Sequence, residues 1–559
     1  MSVHQFFRRE PVPAQAAQHL QPQTIPAPLR GLVESENLAY MQPGGAVICD
    51  NWAPTLRGTK IRGGSVRWCD LHSLDTTVPP IPSDLRKPVV SAFEYESGNI
   101  RRMFAGQDNK LFDVTFATTP TLVKSGQSSG NYVASQMAVP TGSGAVTDYM
   151  LVLNEGGDYP LRYDGTTWTT LNAGQIHYDG TPATSVALGH NLTYVWKYRN
   201  RWFFIEGGTM NAYYLGINSI QGQLLMIPLS GAATKGGKLL FGATWSVDAG
   251  DGIDDKCVFF TDLGEVLIFT GSNPSDPANW RQEGRYQIGK PMGMNAHASL
   301  GGDLLIATVD GLTPLSAAIS KDSAQLELAM MTKNIRSTWR REALTKNDRP
   351  WSLERWDEYG AMFVAWPGGA RNNRYCGLVN TATTAWARYT WPATCFIRLR
   401  GDMFFGTMDG LIMQADRTGS DDGAPYVCTL VGGWEMFQSP PSTVVWHQAR
   451  ATFTSRPGET FIPQISACTD YVVSVPQPPP PGPDPGVSDV WDQGLWDQAK
   501  WDQEAPRSGS AVKSTGWVSV GMTGYSHAPV VQVTVAQQAK PDVELISIAA
   551  TFERLGVNV

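Results

Sequence analysis

Short apolar runs alternate along this chain with polar turns rich in Gly, Asp and Asn, at spacings too small for long helices. Such runs predict β-strands joined as hairpins, because Gly and Asx residues supply the positive φ of tight turns at little cost. Met103-Phe104-Ala105-Gly106 turns at Asp108-Asn109 into Leu111-Phe112-Asp113-Val114, and Trp202-Phe203-Phe204-Ile205 turns at Gly207-Gly208 into Ala212-Tyr213-Tyr214-Leu215. Met403-Phe404-Phe405-Gly406 turns at Asp409-Gly410 into Leu411-Ile412-Met413 in the same way. Seven such units are marked by Phe104, Leu153, Phe204, Phe259, Leu305, Phe363 and Phe404. A loose period of about fifty residues is that of propeller blades, whose sheets cover their apolar faces by packing on their neighbours. The expected class is mainly β, a β-propeller-like domain of repeated hairpin sheets.

Three stretches break the pattern. From Ser323 to Leu344 there is no Gly or Pro, and Leu328, Met331, Ile335, Trp339 and Ala343 form a helical stripe, which predicts one inserted helix between two sheets. After Val475 a proline run reads as a stiff polyproline spacer. It is followed by Trp491-Asp492-Gln493, Trp496-Asp497-Gln498 and Trp501-Asp502-Gln503, whose step of five fits neither a helix stripe nor a strand face, so the three tryptophans are candidate assembly staples. Strands near 516–520, 530–535 and 543–549, with others near 427–430, 443–446 and 451–453, predict a C-terminal β-sandwich. The expected layout is an N-terminal arm (1–45), a propeller-like body (46–424), the first part of a C-terminal β domain (425–475), the spacer with its Trp-Asp-Gln repeats (476–510) and the closing strands (511–559).

Composition narrows the class. The formal charge is −7 and only 17% of residues are charged, which excludes a polybasic nucleic-acid coat, while 42% hydrophobic residues with 19 Trp exclude wholesale disorder. The seven cysteines are scattered without a C-x-x-C pair and read as reduced core thiols of a protein made in a cytoplasm. No membrane span and no secretory signal are expected.

Candidate chemistry is sparse. A glycosidase needs two positioned carboxylates, and no pair stands out. The sialidase-type Asp-box is approached only by Ser275 to Trp280 and by Asp164 to Trp168, both incomplete. No G-x-S-x-G elbow, H-E-x-x-H helix or P-loop is present, so no catalytic residue and no cofactor are expected. Asp248, Asp251 and Asp254, with Asp255, alternate with glycine as a calcium loop would, but without the EF-hand spacing or its terminal Glu, and a solvated acidic turn is the plainer reading. Arg57, Lys60, Arg62 and Arg67, beside Trp68, form the one basic cluster, fit either to grip phosphates or an acidic partner or to guard an exposed strand edge.

Several segments resemble a family of tailed-bacteriophage structural proteins: Gly31-Leu32-Val33, Asn51 to Gly58 with Arg62-Gly63-Gly64, Trp202 to Leu215, Thr244 to Gly252, Tyr286 to Pro291 and Asp310 to Ser316. The Trp-Asp repeats and closing strands fit it too. The resemblance implies a virion protein, similar in architecture to the propeller-built nozzle, or distal tail tube, of short-tailed phages. It further implies a homo-oligomeric ring of six-fold symmetry under the tail adaptor, contact with other tail proteins and tail fibres, and transient contact with passing genomic DNA, which acidic walls would let slide. A tail-associated glycan-active enzyme and a head-to-tail connector or receptor-binding module are the alternatives.

Overall fold

The computed structural model describes residues 21–554 apart from 35–36, 75–81, 83–84, 118, 141–143, 156, 179–190, 247–254, 321–322, 348–349, 367–374, 437–442 and 484–510. The chain is mainly β, and its body is a β-propeller. Each of the seven marker residues lies on the second strand of a successive antiparallel sheet. Among the described residues six of these sheets are four-stranded blades: 89–124, 132–170, 192–228, 239–287, 352–389 and the last, 393–418, which borrows its outer strand. Between the fourth and fifth of these blades sits a three-stranded sheet, 297–314. Its first strand packs inward, where His297 stacks on Phe241 of the neighbouring blade at 4.6 Å.

The last blade shows how the ring closes. Gly64–Asp70, far earlier in the chain, pairs antiparallel with Leu411–Thr418, so both ends of the propeller segment share one sheet. The first and last blades then meet edge to edge, with the Thr394 hydroxyl donating to the Val89 carbonyl at 2.5 Å.

The remaining strands build the sandwich, and here the layout differs from expectation. Residues 46–61 do not belong to the propeller. Ala46–Asp50 pairs with Tyr426–Gly432, and Thr59–Ile61 pairs with both Trp52–Pro54 and Val543–Arg554. Part of the expected N-terminal arm joins them, since Gln21–Pro26 pairs with Val543–Arg554 over six residues. Burial is the reason: Ala46, Cys49, Trp52 and Ile61 all turn into the core that the sandwich shares with the 352–389 blade. One sandwich sheet contains Val444–Ser455, Val543–Arg554, Ala511–Ser514 and Val518–Gly524. The other carries Tyr426–Gly432, His527–Val535 and Pro463–Thr469, and continues through Ala46–Asp50 into the outer strand of the 352–389 blade.

The helical insertion lies between two sheets as expected, but a further helix, α1 (Leu315–Ser320), precedes it, and the single helix expected from Ser323 to Leu344 is divided into α2 (Ser323–Ala329) and α3 (Arg336–Thr345). The stripe is interrupted where the Met331 amide donates to the Leu312 carbonyl at 3.1 Å, tying the chain to a strand edge. Met331, Ile335, Trp339 and Ala343 are buried, whereas Leu328 is exposed. The start of the proline run, 476–483, is laid against the sandwich rather than reaching away from it: Thr534 donates to the Pro479 carbonyl at 2.5 Å and Thr460 to that of Pro483 at 2.6 Å. All seven cysteines are buried and unpaired.

Candidate functional site

The basic cluster separates once folded. Arg62 lies in the link between Thr59–Ile61 of the sandwich and Gly64–Asp70 of the propeller, and it is buried. Its guanidinium reaches Asp421 with both terminal nitrogens, at 2.6 and 3.0 Å, and donates from Nε to Asn51 at 2.6 Å. Further bonds go to the Gly63 carbonyl at 2.9 Å and the Thr390 hydroxyl at 3.0 Å, and the Tyr426 ring lies 3.9 Å from the guanidinium carbon. Burial alone would favour the neutral form, but Asp421 overrides it and holds the guanidinium above its ordinary value. Asn51, at φ 63°, completes the clamp by donating to the Val427 carbonyl at 2.7 Å. The glycines after Arg62 are required by close approach, since a Cβ on Gly63 would stand 2.1 Å from the Asp416 carboxylate.

Lys60 pairs with Asp542 at 2.7 Å, and Arg67, exposed on the closing strand, pairs with Asp422. Arg57 is exposed on the turn after Pro54. Arg57, Lys60 and Arg62 do meet around one feature, a cavity of about 450 Å³ between the 352–389 blade and the sandwich. Trp356, Phe363, Leu378 and Trp391 give it an apolar floor, and Tyr359, Asp416 and Lys540 contribute a polar wall. Asp416, at φ 60°, accepts from the Gly63 amide at 2.7 Å and from the Tyr359 hydroxyl and the Lys540 ammonium. Burial and the Asp416 charge push the Tyr359 hydroxyl well up, so it serves as a donor and not as a base. With Arg62 and Arg67 consumed by aspartates, the cluster is no continuous phosphate-binding strip.

A second site, absent from the sequence reading, lies on the propeller axis. The first strands of three consecutive blades bring together Glu354 (Ser352–Trp356), Arg398 (Ala393–Leu399) and Glu94 (Val89–Ser97) beside a cavity of about 260 Å³. Arg398 donates to Glu354 and to Asp357, each at 2.9 Å. Burial pushes the Glu354 carboxyl up to about 7 despite Arg398, and raises that of Glu94. On the same axis burial lowers His297 to about 4. The two groups act oppositely on stability. Glu354 holds its proton in the fold where the unfolded chain has lost it, so its contribution falls as pH rises from 4.5 to about 7. His297 contributes above its unfolded value of 6.5 and loses that contribution as pH falls towards 4. Glu354→Gln should therefore gain on the wild type by about 1–3 kcal/mol between pH 5 and pH 8. Paired denaturant titrations at the two pH values check this, and a constant difference would count against it.

The remaining sequence candidates divide. Asp248, Asp251 and Asp254 fall outside the described residues, as do Trp491, Trp496 and Trp501. Asp255 is buried and accepts from the Ser246 hydroxyl at 2.5 Å. Among the described residues no cluster of three or more His, Cys, Asp or Glu is placed to hold a metal. Asp164, from one incomplete Asp-box, caps its own turn by accepting from the Thr166 and Thr167 amides at 2.9 and 2.7 Å. Asp276, in the other, accepts from the Ala278 amide at 3.0 Å.

No family model and no curated protein matches the chain. Solved structures similar to it include the computationally designed Ika8 protein, at 8% identity and TM-score 0.33, covering 63% of this chain and 99% of that one. Raptor of Chaetomium thermophilum matches at 10% and 0.38, over 64% of this chain and 29% of its own. The β-propeller domain of Cps50 (Swd1) of Myceliophteria thermophila matches at 11% and 0.35, over 59% and 100%. The likeness is one of fold alone.

Proposed function

We propose that this chain is a non-enzymatic structural subunit of a bacteriophage tail, the nozzle that continues the DNA channel as a ring of identical copies. The observation that carries the reading is the outer edge of the sandwich. Val518–Gly524 pairs on one side with Val444–Ser455, and among the described residues no strand pairs with its other side. The strand contains neither charge nor proline, the devices that normally guard an edge. Val518 and Met522 are exposed on it, with Trp517 and Tyr525 exposed at its ends and Val512 on the strand before. An unguarded apolar edge of this kind suits contact with a copy of the same chain, and a contact that repeats head to tail closes into a ring. The family resemblance of the sequence supports placing that ring in a virion.

The test is assembly. The wild-type chain should elute as a multi-subunit ring, and the double substitution Val518→Lys with Met522→Lys should yield monomer of unchanged circular dichroism, with affinity lowered at least ~100-fold for two interface anchors. A wild-type chain that stays monomeric and is absent from virions imaged by electron microscopy would overturn the reading. Glu94 and Glu354 favour a second reading, a glycan-active propeller, since glycosidases work with paired carboxylates. Hydrolysis of host glycan that disappears in Glu354→Gln would decide for it.

A further inference from the structure

We propose that the cavity between the 352–389 blade and the sandwich binds a small mono-anionic amphiphile, an apolar ring or chain carrying one carboxylate. The proposal is independent of the tail assignment. At about 450 Å³ the cavity is far larger than the voids that close-packed interiors retain, and it falls within the range of small-molecule sites. Its floor of Trp356, Phe363, Leu378 and Trp391 is apolar, which selects an apolar body.

Charge at the mouth selects the sign of the head group. Every other charged side chain lining the cavity already has a partner. Lys60 pairs with Asp542, Lys540 with Asp416 and Arg62 with Asp421, while Glu544 accepts the Thr55 hydroxyl at 2.5 Å. Arg57 has no ion pair and no side-chain hydrogen bond among the described residues. The lining carries four cations, Arg57, Lys60, Arg62 and Lys540, against the two carboxylates of Asp416 and Glu544, and Arg57, exposed at the lip, is the cation among them without an ion pair, placed to take a carboxylate as a charge-assisted, bidentate pair.

The experiment uses the full chain and calorimetric titration with two probes of one shape, 2-naphthoate and the neutral 2-naphthamide. Naphthoate should bind at one site and weaken about tenfold in Arg57→Ala, the loss of roughly one charge-assisted bond. Naphthamide should be indifferent to that substitution. Ala382→Trp, which plugs the mouth from an exposed turn, should abolish both. Circular dichroism confirms that both variants fold, and neither touches the apolar sandwich edge, so assembly is unaffected. Absence of binding by either probe overturns the proposal. So does naphthoate binding that neither variant changes, or naphthamide binding weakened by Arg57→Ala as much as naphthoate.

Discussion

Arg62→Met is expected to lower the stability of the chain by about 3–5 kcal/mol, the cost of removing one partner from a buried ion pair and leaving the other unanswered. Its side chain is fully enclosed, and each of its nitrogens is bonded. The substitution removes the only cation bonded to Asp421 among the described residues, leaving that carboxylate with the Ser65 amide and hydroxyl, and takes one donor each from the Asn51 side-chain carbonyl and the Thr390 hydroxyl. Arg62→Lys should recover only part of the loss, because an ammonium cannot present the planar fork that spans Asp421 and Asn51. Lys60→Met and Arg67→Met provide the contrast. Those ion pairs are solvent-exposed, and exposed pairs are worth about 0–1 kcal/mol. Urea unfolding followed by both fluorescence and circular dichroism measures all four. A cost for Arg62→Met below about 1 kcal/mol would mean that the clamp between propeller and sandwich is not where the two parts are held.

What could be read from the sequence, and what could not, follows from the range of each interaction. Phe104, Phe204 and Phe404 fell on second strands because a hairpin is a local object: its turn residues and its alternating apolar faces lie within a dozen positions. The partner of Gln21–Pro26 could not be read that way. Thr24 pairs with Ala549, and nothing local distinguishes a strand that joins the next hairpin from one that crosses to the far terminus. The basic cluster illustrates the same limit. Arg57, Lys60, Arg62 and Arg67 are neighbours in the chain, but Arg62 occupies the link between two sheets and faces inward, while Arg67 stands on a different sheet.

The axial group was hidden for another reason. Glu94, Glu354 and Arg398 are remote in sequence and meet only because a propeller gathers the first strand of every blade at its axis. A signal was present all the same. Arg398 is the one charge in the run Ala393-Thr394-Cys395-Phe396-Ile397-Arg398-Leu399, where burial would otherwise exclude it, whereas Glu94 shares its strand with Glu96 and Glu354 is followed by Arg355. Given the ring, a lone charge on an innermost strand marks the channel.

Trp339→Ala should be about as costly as Arg62→Met, at about 3–5 kcal/mol, for a packing reason. Trp339 on α3 is fully buried, its ring 5.2 Å from Trp351, 5.8 Å from Trp386 and 6.2 Å from Trp366. Its indole donates to the Thr308 carbonyl at 2.8 Å, and Trp386 donates in the same way to Met331 at 2.8 Å. Truncation opens a cavity among three rings, and it takes from the Thr308 carbonyl the shorter of its two hydrogen bonds. Trp339→Phe separates the two effects: it keeps most of the volume and should cost about 1–2 kcal/mol, chiefly for the lost indole hydrogen bond, since the Thr308 carbonyl still accepts from the Gly311 amide at 3.3 Å. Leu328→Ala is the control, since Leu328 shares the helical stripe in the sequence but is 77% exposed, and it should change stability by less than about 0.5 kcal/mol. Equal losses for Trp339→Ala and Leu328→Ala would mean that the insertion is held by its helical stripe as a whole. A large loss for Trp339→Ala alone fixes the anchor at the tryptophan cluster, where the helix meets the propeller wall.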